Sequence, residues 1–305
     1  MKIAVVGAGA MGSLFGALLV EAGQEVWLYD VWVAHVQAVK QNGLQIEREG
    51  QTRTVRINAT TDPAEIGRAD LVIIFVKSTQ TEAAAETARK IAGSEGTLMT
   101  LQNGMGNADT IARNIAAERI LAGTTSHGAT MLGAGRIRHA GIGATTIGSW
   151  AGTDQGRQRA QKLADFFNSA GIEAQAVADV RSVIWNKLLI NIGINAVTAL
   201  CGIKNGQLLD LAITRELSRC AVEEAMAVAR AQHIGIKDDA VDIVFKVAEA
   251  TAANRSSMGQ DVDNKRRTEI AAINGFIVRE AQRLGLEAPI NFALTALIET
   301  LQSHY

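Results

Sequence analysis

Three polar side chains interrupt an apolar run just past the middle of the chain. They are Lys187, Asn191 and Asn195, within Ile184-Trp185-Asn186-Lys187-Leu188-Leu189-Ile190-Asn191-Ile192-Gly193-Ile194-Asn195-Ala196. Spaced at i, i+4 and i+8, they form one polar ridge on an α-helix. Apolar residues occupy the other sides, so the helix is expected to be buried and the ridge with it. An unpaired buried polar group costs roughly 1–3 kcal/mol, and a charge more. These groups therefore either satisfy one another or are satisfied by a ligand.

A second set of residues has the chemistry of phosphate binding. Gly7-Ala8-Gly9-Ala10-Met11-Gly12 follows the apolar run Lys2–Val6 and precedes a stretch with helical spacing that ends at Gly23. In such a strand–turn–helix, Gly7 makes the tight turn, Gly9 lets a pyrophosphate approach the backbone, and Gly12 allows close helix–strand packing. The helix N-terminus adds free N–H groups and partial positive charge. A second strand, Glu25–Asp30, ends in an acid at the expected distance. There Asp30 would accept from both ribose hydroxyls and repel a 2′-phosphate, which favours NAD over NADP. Tyr29 and Trp32, beside it, read as packing residues rather than specific adenine contacts.

Further polar residues stand where ligands bind in such folds. Lys77 lies at the carboxyl end of the strand Asp70–Lys77, facing the cofactor crevice or capping the strand. Asn103, in Gln102-Asn103-Gly104-Met105-Gly106, could reach a nicotinamide ribose or a substrate, although Asn-Gly is also good turn chemistry. Asn254, Ser257 and Asp261 fall at i, i+3 and i+7, on one face if helical. Glu269 opens an apolar segment and points to a polar site or a cap. His127 and His139 have no partnering motif and read as strand or loop residues.

These residues need two kinds of scaffold. Strand patterns and glycine turns dominate up to about Asp179, and long helical periodicity follows to Tyr305. That shift predicts an α/β dinucleotide-binding domain over 1–179 and an all-helical domain over 180–305. A length of 305 residues agrees with two cores. Within the first part, residues 43–60 alternate around Glu49-Gly50 as an antiparallel hairpin, peripheral or at an edge of the main sheet. Asn205-Gly206 is expected at a helix end, and an amphipathic helix near 214–232.

The net charge is −1, with basic residues scattered, which argues against a nucleic-acid partner. No uninterrupted apolar stretch reaches 18 residues, and Cys201 and Cys220 lack metal-ligand spacing, so neither a membrane span nor a metal is expected. The expected compartment is the cytoplasm. Ala- and Ile-rich helices in the second half make a homodimer the expected assembly.

Over nearly its whole length the chain resembles the ketopantoate reductase family, the 2-dehydropantoate 2-reductases. The matching pieces are the Gly7–Gly12 loop, Gln102–Gly106, Trp185-Asn186-Lys187 with Asn191 and Asn195, and Asn205-Gly206. They continue with Ser256-Ser257-Met258 and Asp261, then Thr268-Glu269-Ile270 with Asn274-Gly275. The resemblance implies a Rossmann-type N-terminal domain, a helical substrate-binding domain, and an active site in the cleft between them. It implies that Lys187 polarises or protonates the C2 carbonyl oxygen of 2-dehydropantoate as hydride arrives from NAD(P)H, giving D-pantoate in pantothenate and coenzyme A biosynthesis. By the same resemblance Glu269 contacts the substrate hydroxyl and supports the lysine. Asn103, Asn191, Asn195 and Asn254 contact substrate or cofactor, Ser257 meets the substrate carboxylate, and Asn205 is a looser match.

Many family members carry an arginine near the end of the second strand and use NADPH. This chain has Tyr29-Asp30-Val31, similar to NAD-preferring relatives that reduce other bulky 2-keto acids as D-2-hydroxyacid dehydrogenases. That substrate class is the alternative reading. A dinucleotide-binding sensor or scaffold is the alternative of another kind, and it would not require a lysine on a buried amide ridge.

Overall fold

Apolar, β-branched runs closed by glycine or a polar residue form buried strands when helices cover both faces of their sheet. In the computed structural model, which describes residues 1–305, Lys2–Val6 is such a strand and lies near the middle of an eight-stranded sheet. The chain divides into two compact units. One comprises Met1–Gln102 and Asn107–Val180, the other Asn103–Gly106 and Arg181–Tyr305.

The first unit runs β1 (Lys2–Val6), α1 (Ala10–Glu21), β2 (Glu25–Tyr29), α2 (Val33–Asn42), β3 (Leu44–Arg48), β4 (Gln51–Val55), β5 (Asn58–Thr60) and β6 (Leu71–Ile74). It continues with α3 (Thr81–Ala92), β7 (Thr97–Thr100), α4 (Asn107–Ala112), β8 (Ile120–Thr125), β9 (Gly128–Gly133), β10 (Arg136–Gly141), β11 (Thr145–Ser149), α5 (Asp154–Ser169) and β12 (Ala174–Val177). The main sheet has the order β12-β11-β8-β7-β6-β1-β2-β5. It is parallel throughout except where β11 pairs antiparallel with β8. This is a doubly wound, Rossmann-type α/β sheet.

The 43–60 stretch forms the expected antiparallel hairpin around Glu49-Gly50. Its hairpin, β3–β4, forms a separate four-stranded sheet with β10 and β9, and only β5 adds to the edge of the main sheet. The reason is apolar burial at long range: Leu44, Ile46 and Ile137 of this second sheet enter the same core as Leu14 and Phe15 of α1.

The second unit contains α6 (Val180–Cys201, except its first residue), α7 (Ala212–Ala231), α8 (Ala240–Ala250), α9 (Ser257–Asp263), α10 (Asn274–Leu284) and α11 (Pro289–Gln302). By length and composition α6 could cross a membrane, but most of it is buried inside the protein. Trp185 is fully buried and meets Phe276 edge-on, ring centres 5.6 Å apart. At Gly193 two neighbouring helices approach the α6 backbone closely. A Cβ there would lie 2.6 Å from Val244 and 2.9 Å from Val222, and the Ser218 hydroxyl donates to the Gly193 carbonyl at 2.8 Å.

Asn205-Gly206 does not end a long helix as expected. The helix stops at Cys201, and Asn205 leads a short 3-10 turn, Gly206–Leu209. Its backbone N–H donates to the Asn254 carbonyl (2.9 Å) and its amide to Thr251 (3.0 Å), so long-range partners set its conformation. Elsewhere Glu224 of α7 accepts the N–H groups of Ile290 and Asn291 at the start of α11, and buried Asn274 donates to Asn291. The carboxylate thus satisfies donors that a helix N-terminus leaves open.

Because the crossing at Gly193 leaves no room for a side chain, Gly193→Val should destabilise the protein by roughly 1–3 kcal/mol. A lower midpoint in urea-induced unfolding is the expected outcome.

Candidate active site

The ridge predicted on α6 exists. Lys187 and Asn191 are half-buried, and Asn195 is 5% exposed. Burial pulls the Lys187 ammonium down to about 8, opposed by the negative charge of Glu269. Glu269 is only 8% exposed. Desolvation and one specific charge partner are the arrangement that tunes a lysine for proton transfer near neutral pH. The amide nitrogen of Asn195 is buried and has no hydrogen-bond partner within the protein. The amides therefore do not close into a self-satisfied ladder, and a donor remains for a ligand's acceptor.

Asn186, between Trp185 and Lys187, does structural work. Its amide donates to the carbonyls of Ser182 (2.7 Å) and Gly235 (3.2 Å) and accepts from the Lys237 N–H (3.1 Å), fixing the 235–237 loop against α6.

Glu269 precedes a 3-10 turn, Ile270–Ala272, whose entry is held by Thr268. The Thr268 N–H and hydroxyl both donate to Gln302 Oε1, at 2.9 and 3.0 Å. The Asn103 loop docks on the same turn, with the Met105 N–H donating to the Ala272 carbonyl at 3.0 Å. Gly104 has φ +82°, and a Cβ on it would lie 2.5 Å from that carbonyl. Asn103, Glu269 and Lys187 thereby belong to one unit, although they are far apart in the chain.

Just before Asn103, Gln102 ties the first unit's strand ends together. Its amide donates to the Val76 carbonyl (2.7 Å) and Thr81 (2.9 Å) and accepts from the Thr100 hydroxyl (2.8 Å). Thr81 in turn donates to Asn107 at 2.9 Å. A glutamine in a turn carries no local sign of what it bonds, so these partners are not legible in the sequence.

The stretch around Ser257 differs from expectation. Asn254 does not share a helical face with Ser257 and Asp261, because α9 begins only at Ser257. Ser256 takes the N-cap, its hydroxyl accepting from the Gly259 N–H at 3.1 Å, which leaves Asn254 in the preceding loop. Asn254 and Ser257 are exposed, and Asp261 is buried. Arg255 fastens this segment to α6. It donates to the carbonyls of Thr198 (2.5 Å) and Ile203 (2.6 Å) and forks onto Asp263, while the hydroxyls of Thr198 and Ser256 meet at 2.8 Å. Neither Arg255 nor Thr198 is singled out by the sequence, where a clamping arginine looks like a solvated one.

The expected cofactor residues other than Asn103 lie in the first unit. Gly7 has φ +97°, and a Cβ on it would lie 2.7 Å from the Val76 nitrogen; a Cβ on Gly12 would run into the Gly7 carbonyl. A Cβ on Gly9 would meet nothing. The protein itself therefore requires glycine at 7 and 12, whereas the open approach at Gly9 suits an incoming phosphate. Ala8, Ala10 and Met11 complete the loop and first turn of α1, whose N-terminus has no side-chain cap. Those free N–H groups fit a pyrophosphate. Asp30 follows β2, and its Oδ1 accepts the Trp32 N–H at 2.9 Å. Lys77 is half-buried beyond the carboxyl end of β6.

His127 and His139 also belong to the first unit, and their rings meet, with Nδ1 and Nε2 3.3 Å apart. Burial is the main influence lowering both pKa values. Nothing local in the chain signals this pairing, because the two rings are twelve residues apart.

The family model described as "Ketopantoate reductase PanE/ApbA" matches residues 3–152, and its C-terminal companion matches residues 179–302. A 2-dehydropantoate 2-reductase of Halobacterium salinarum is 36% identical over 304 residues, covering 99% of each chain. The chain belongs to the ketopantoate reductase family. A ketopantoate reductase of this family from Ralstonia eutropha superposes with a TM-score of 0.91 at 34% identity, covering 100% of this chain and 99% of the other. D-mandelate dehydrogenase, in a ternary structure with NADH and anilino(oxo)acetate, gives a TM-score of 0.93 at 29% identity, covering 100% and 99%.

In this ketopantoate reductase-family chain the Glu269 charge holds the Lys187 pKa up against burial. Glu269→Gln should therefore move the lysine's titration below its present value of about 8. The check is an NMR pH titration of the Lys187 ammonium, assigned by its loss in Lys187→Arg.

Proposed function

We propose that this chain reduces 2-dehydropantoate to D-pantoate by hydride transfer from NAD(P)H, with Lys187 as the proton donor. The observation that carries the reading is the desolvated Lys187 ammonium, tuned to about 8 against Glu269, in a chain matched end to end by 2-dehydropantoate 2-reductases.

NAD(P)H supplies the hydride when bound. As the C2 carbonyl carbon accepts it, negative charge grows on the carbonyl oxygen, and the Lys187 ammonium stabilises that charge and then transfers its proton. Glu269 contacts the substrate hydroxyl and opposes premature loss of the lysine proton. Asn103, Asn191 and Asn195 hold the substrate or the nicotinamide ribose, the Asn195 amide giving the donor that the protein leaves unused. Asn254 and Ser257 serve the substrate carboxylate end, and Arg255 holds the segment that presents them. Gly7–Gly12 binds the pyrophosphate, and Lys77 contacts the cofactor.

Asp30 favours NADH over NADPH, since a carboxylate beside the ribose repels a 2′-phosphate. A second substrate reading is a D-2-hydroxyacid dehydrogenase acting on another bulky 2-keto acid. The likeness to D-mandelate dehydrogenase favours it, and Lys187 and Glu269 would play the same parts. A purely nucleotide-sensing role leaves the buried lysine without a purpose.

Steady-state assays with 2-dehydropantoate, other 2-keto acids and both cofactors test these statements. 2-Dehydropantoate should give the highest kcat/KM, with NADH preferred. Failure of every 2-keto acid to oxidise either cofactor would refute the reading. Lys187→Ala should cost roughly 10²–10⁴ in kcat, the range for general acid catalysis. Reduction needs the protonated lysine, so its rate should fall as pH rises through about 8. Oxidation of D-pantoate needs the neutral amine and should rise over the same range.

A further inference from the structure

The last turn of α6 meets the first turn of α9 through two buried hydroxyls, those of Thr198 and Ser256, whose oxygens lie 2.8 Å apart. The Thr198 hydroxyl donates back along its own helix to the Ile194 carbonyl at 2.8 Å, the usual back-bond of a helical threonine. Its proton is thereby committed, so the Ser256 hydroxyl donates to Thr198. The Ser256 oxygen in turn accepts the Gly259 N–H at 3.1 Å. Three bonds therefore run one way, from the Gly259 N–H through Ser256 and Thr198 to the Ile194 carbonyl.

Arg255 adds a second fastening at the same place. Its Nη1 donates to the carbonyls of Thr198 (2.5 Å) and Ile203 (2.6 Å), while Nε and Nη2 reach Asp263 at 2.8 and 2.9 Å. Carbonyls at a helix C-terminus lack intrahelical partners and carry partial negative charge, which a guanidinium satisfies. Gly259 leaves room for that guanidinium, since a Cβ there would lie 2.7 Å from Arg255 Cζ. Thr198 is thus held twice, by its hydroxyl to Ser256 and by its carbonyl to Arg255.

Residues assigned to the substrate flank both fastenings. Asn195, whose amide nitrogen is buried without a partner in the protein, lies three residues before Thr198, and its carbonyl is 3.3 Å from the Thr198 hydroxyl. Ser257 directly follows Ser256. A slip of α9 along α6 would change the separation of the Asn195 amide and the Ser257 hydroxyl. Apolar packing is non-directional and tolerates such a slip, whereas hydrogen bonds weaken steeply as their angles bend.

We propose that Thr198 and Arg255 are positioning residues for the carboxylate end of the 2-keto acid, holding Ser257 at a fixed distance from the Asn195 amide. Neither touches the substrate, and both act through the two residues that do. Both roles rest on the substrate reading above, in which Asn195 and Ser257 contact the 2-keto acid.

Steady-state kinetics with 2-dehydropantoate at saturating cofactor provide the test. Thr198→Val keeps the shape and removes the hydroxyl. It should raise KM roughly three- to tenfold, the range for one lost hydrogen bond, with kcat staying near the wild-type value. Thr198→Ser, which restores the hydroxyl, should return KM close to wild type. Arg255→Lys keeps the charge, loses the fork onto Asp263, and should raise KM in the same range. In both weakened variants the fall in rate should still occur at about 8, because Lys187 and Glu269 are untouched. A thermal melt checks that each variant is folded, since loss of folded protein alone lowers kcat and leaves KM in place. Asn195→Ala and Ser257→Ala, which remove the direct contacts, should raise KM as controls. Wild-type KM in a folded Thr198→Val or Arg255→Lys, with KM raised in the controls, overturns the positioning role of that residue and leaves the substrate reading intact. A KM for Thr198→Ser as high as that of Thr198→Val also overturns the role of the hydroxyl. Wild-type KM in both controls overturns the substrate reading and the positioning roles together.

Discussion

Lys187 is an ammonium that folding has partly removed from water, and the design of the helical unit follows from the cost of doing so. Desolvation favours the neutral amine, and the charge of Glu269 favours the ammonium. The balance leaves the lysine near 8, where both protonation states are accessible close to neutral pH. Maintaining that balance requires Glu269 to stay buried at a fixed position, and the protein fixes it from several directions. Thr268 is held by Gln302 from α11, the turn after Glu269 receives the Asn103 loop, and Gly104 permits that approach.

The same economy shapes the helix that carries the lysine. A buried helix of this length needs neighbours at close range, and Gly193 grants it one side where α7 and α8 approach the backbone directly. Trp185 and Asn186 lock the N-terminal part of α6, one by aromatic packing and the other by two hydrogen bonds to the distant 235–237 loop and one to Ser182 within the helix. Rigidity at both ends places the ridge of Lys187, Asn191 and Asn195 without using those side chains as structural glue. Arg255 then carries the fixed geometry onward to α9 by gripping the carbonyls of Thr198, in the last turn of α6, and of Ile203 just beyond it.

The first unit solves a different problem, which is to hold a turn tight while leaving backbone N–H groups unused. Gly7 and Gly12 are demanded by steric crowding inside the protein, whereas Gly9 is crowded by nothing. Ser13 and His35 brace the loop from behind through the Ala8 carbonyl. Gln102 performs the matching task at the ends of the neighbouring strands, linking Val76, Thr81 and Thr100. In both places a neutral side-chain network supports a backbone geometry that the apolar core alone would not define.

Local pattern determined a great deal. Periods of two and 3.6 in the apolar residues revealed strands and helices, and the i, i+4, i+8 spacing exposed the α6 ridge, because each of these depends only on neighbours along the chain. The glycine fingerprint was legible for the same reason. What needed tertiary structure were the facts that depend on partners distant in sequence. The β3–β4 hairpin joined β9 and β10 because their apolar faces share a core with α1. Asn254 fell outside α9 because Ser256 captured the cap. Trp32 reads as a packing residue by type, yet only the fold determined that His35 would be the ring it stacks on. Lys187 shows the division most plainly. Its position on a buried ridge was written in the sequence, while its pKa was decided by how much water the fold removed and by Glu269, eighty-two residues further along the chain, being brought near enough to oppose that loss.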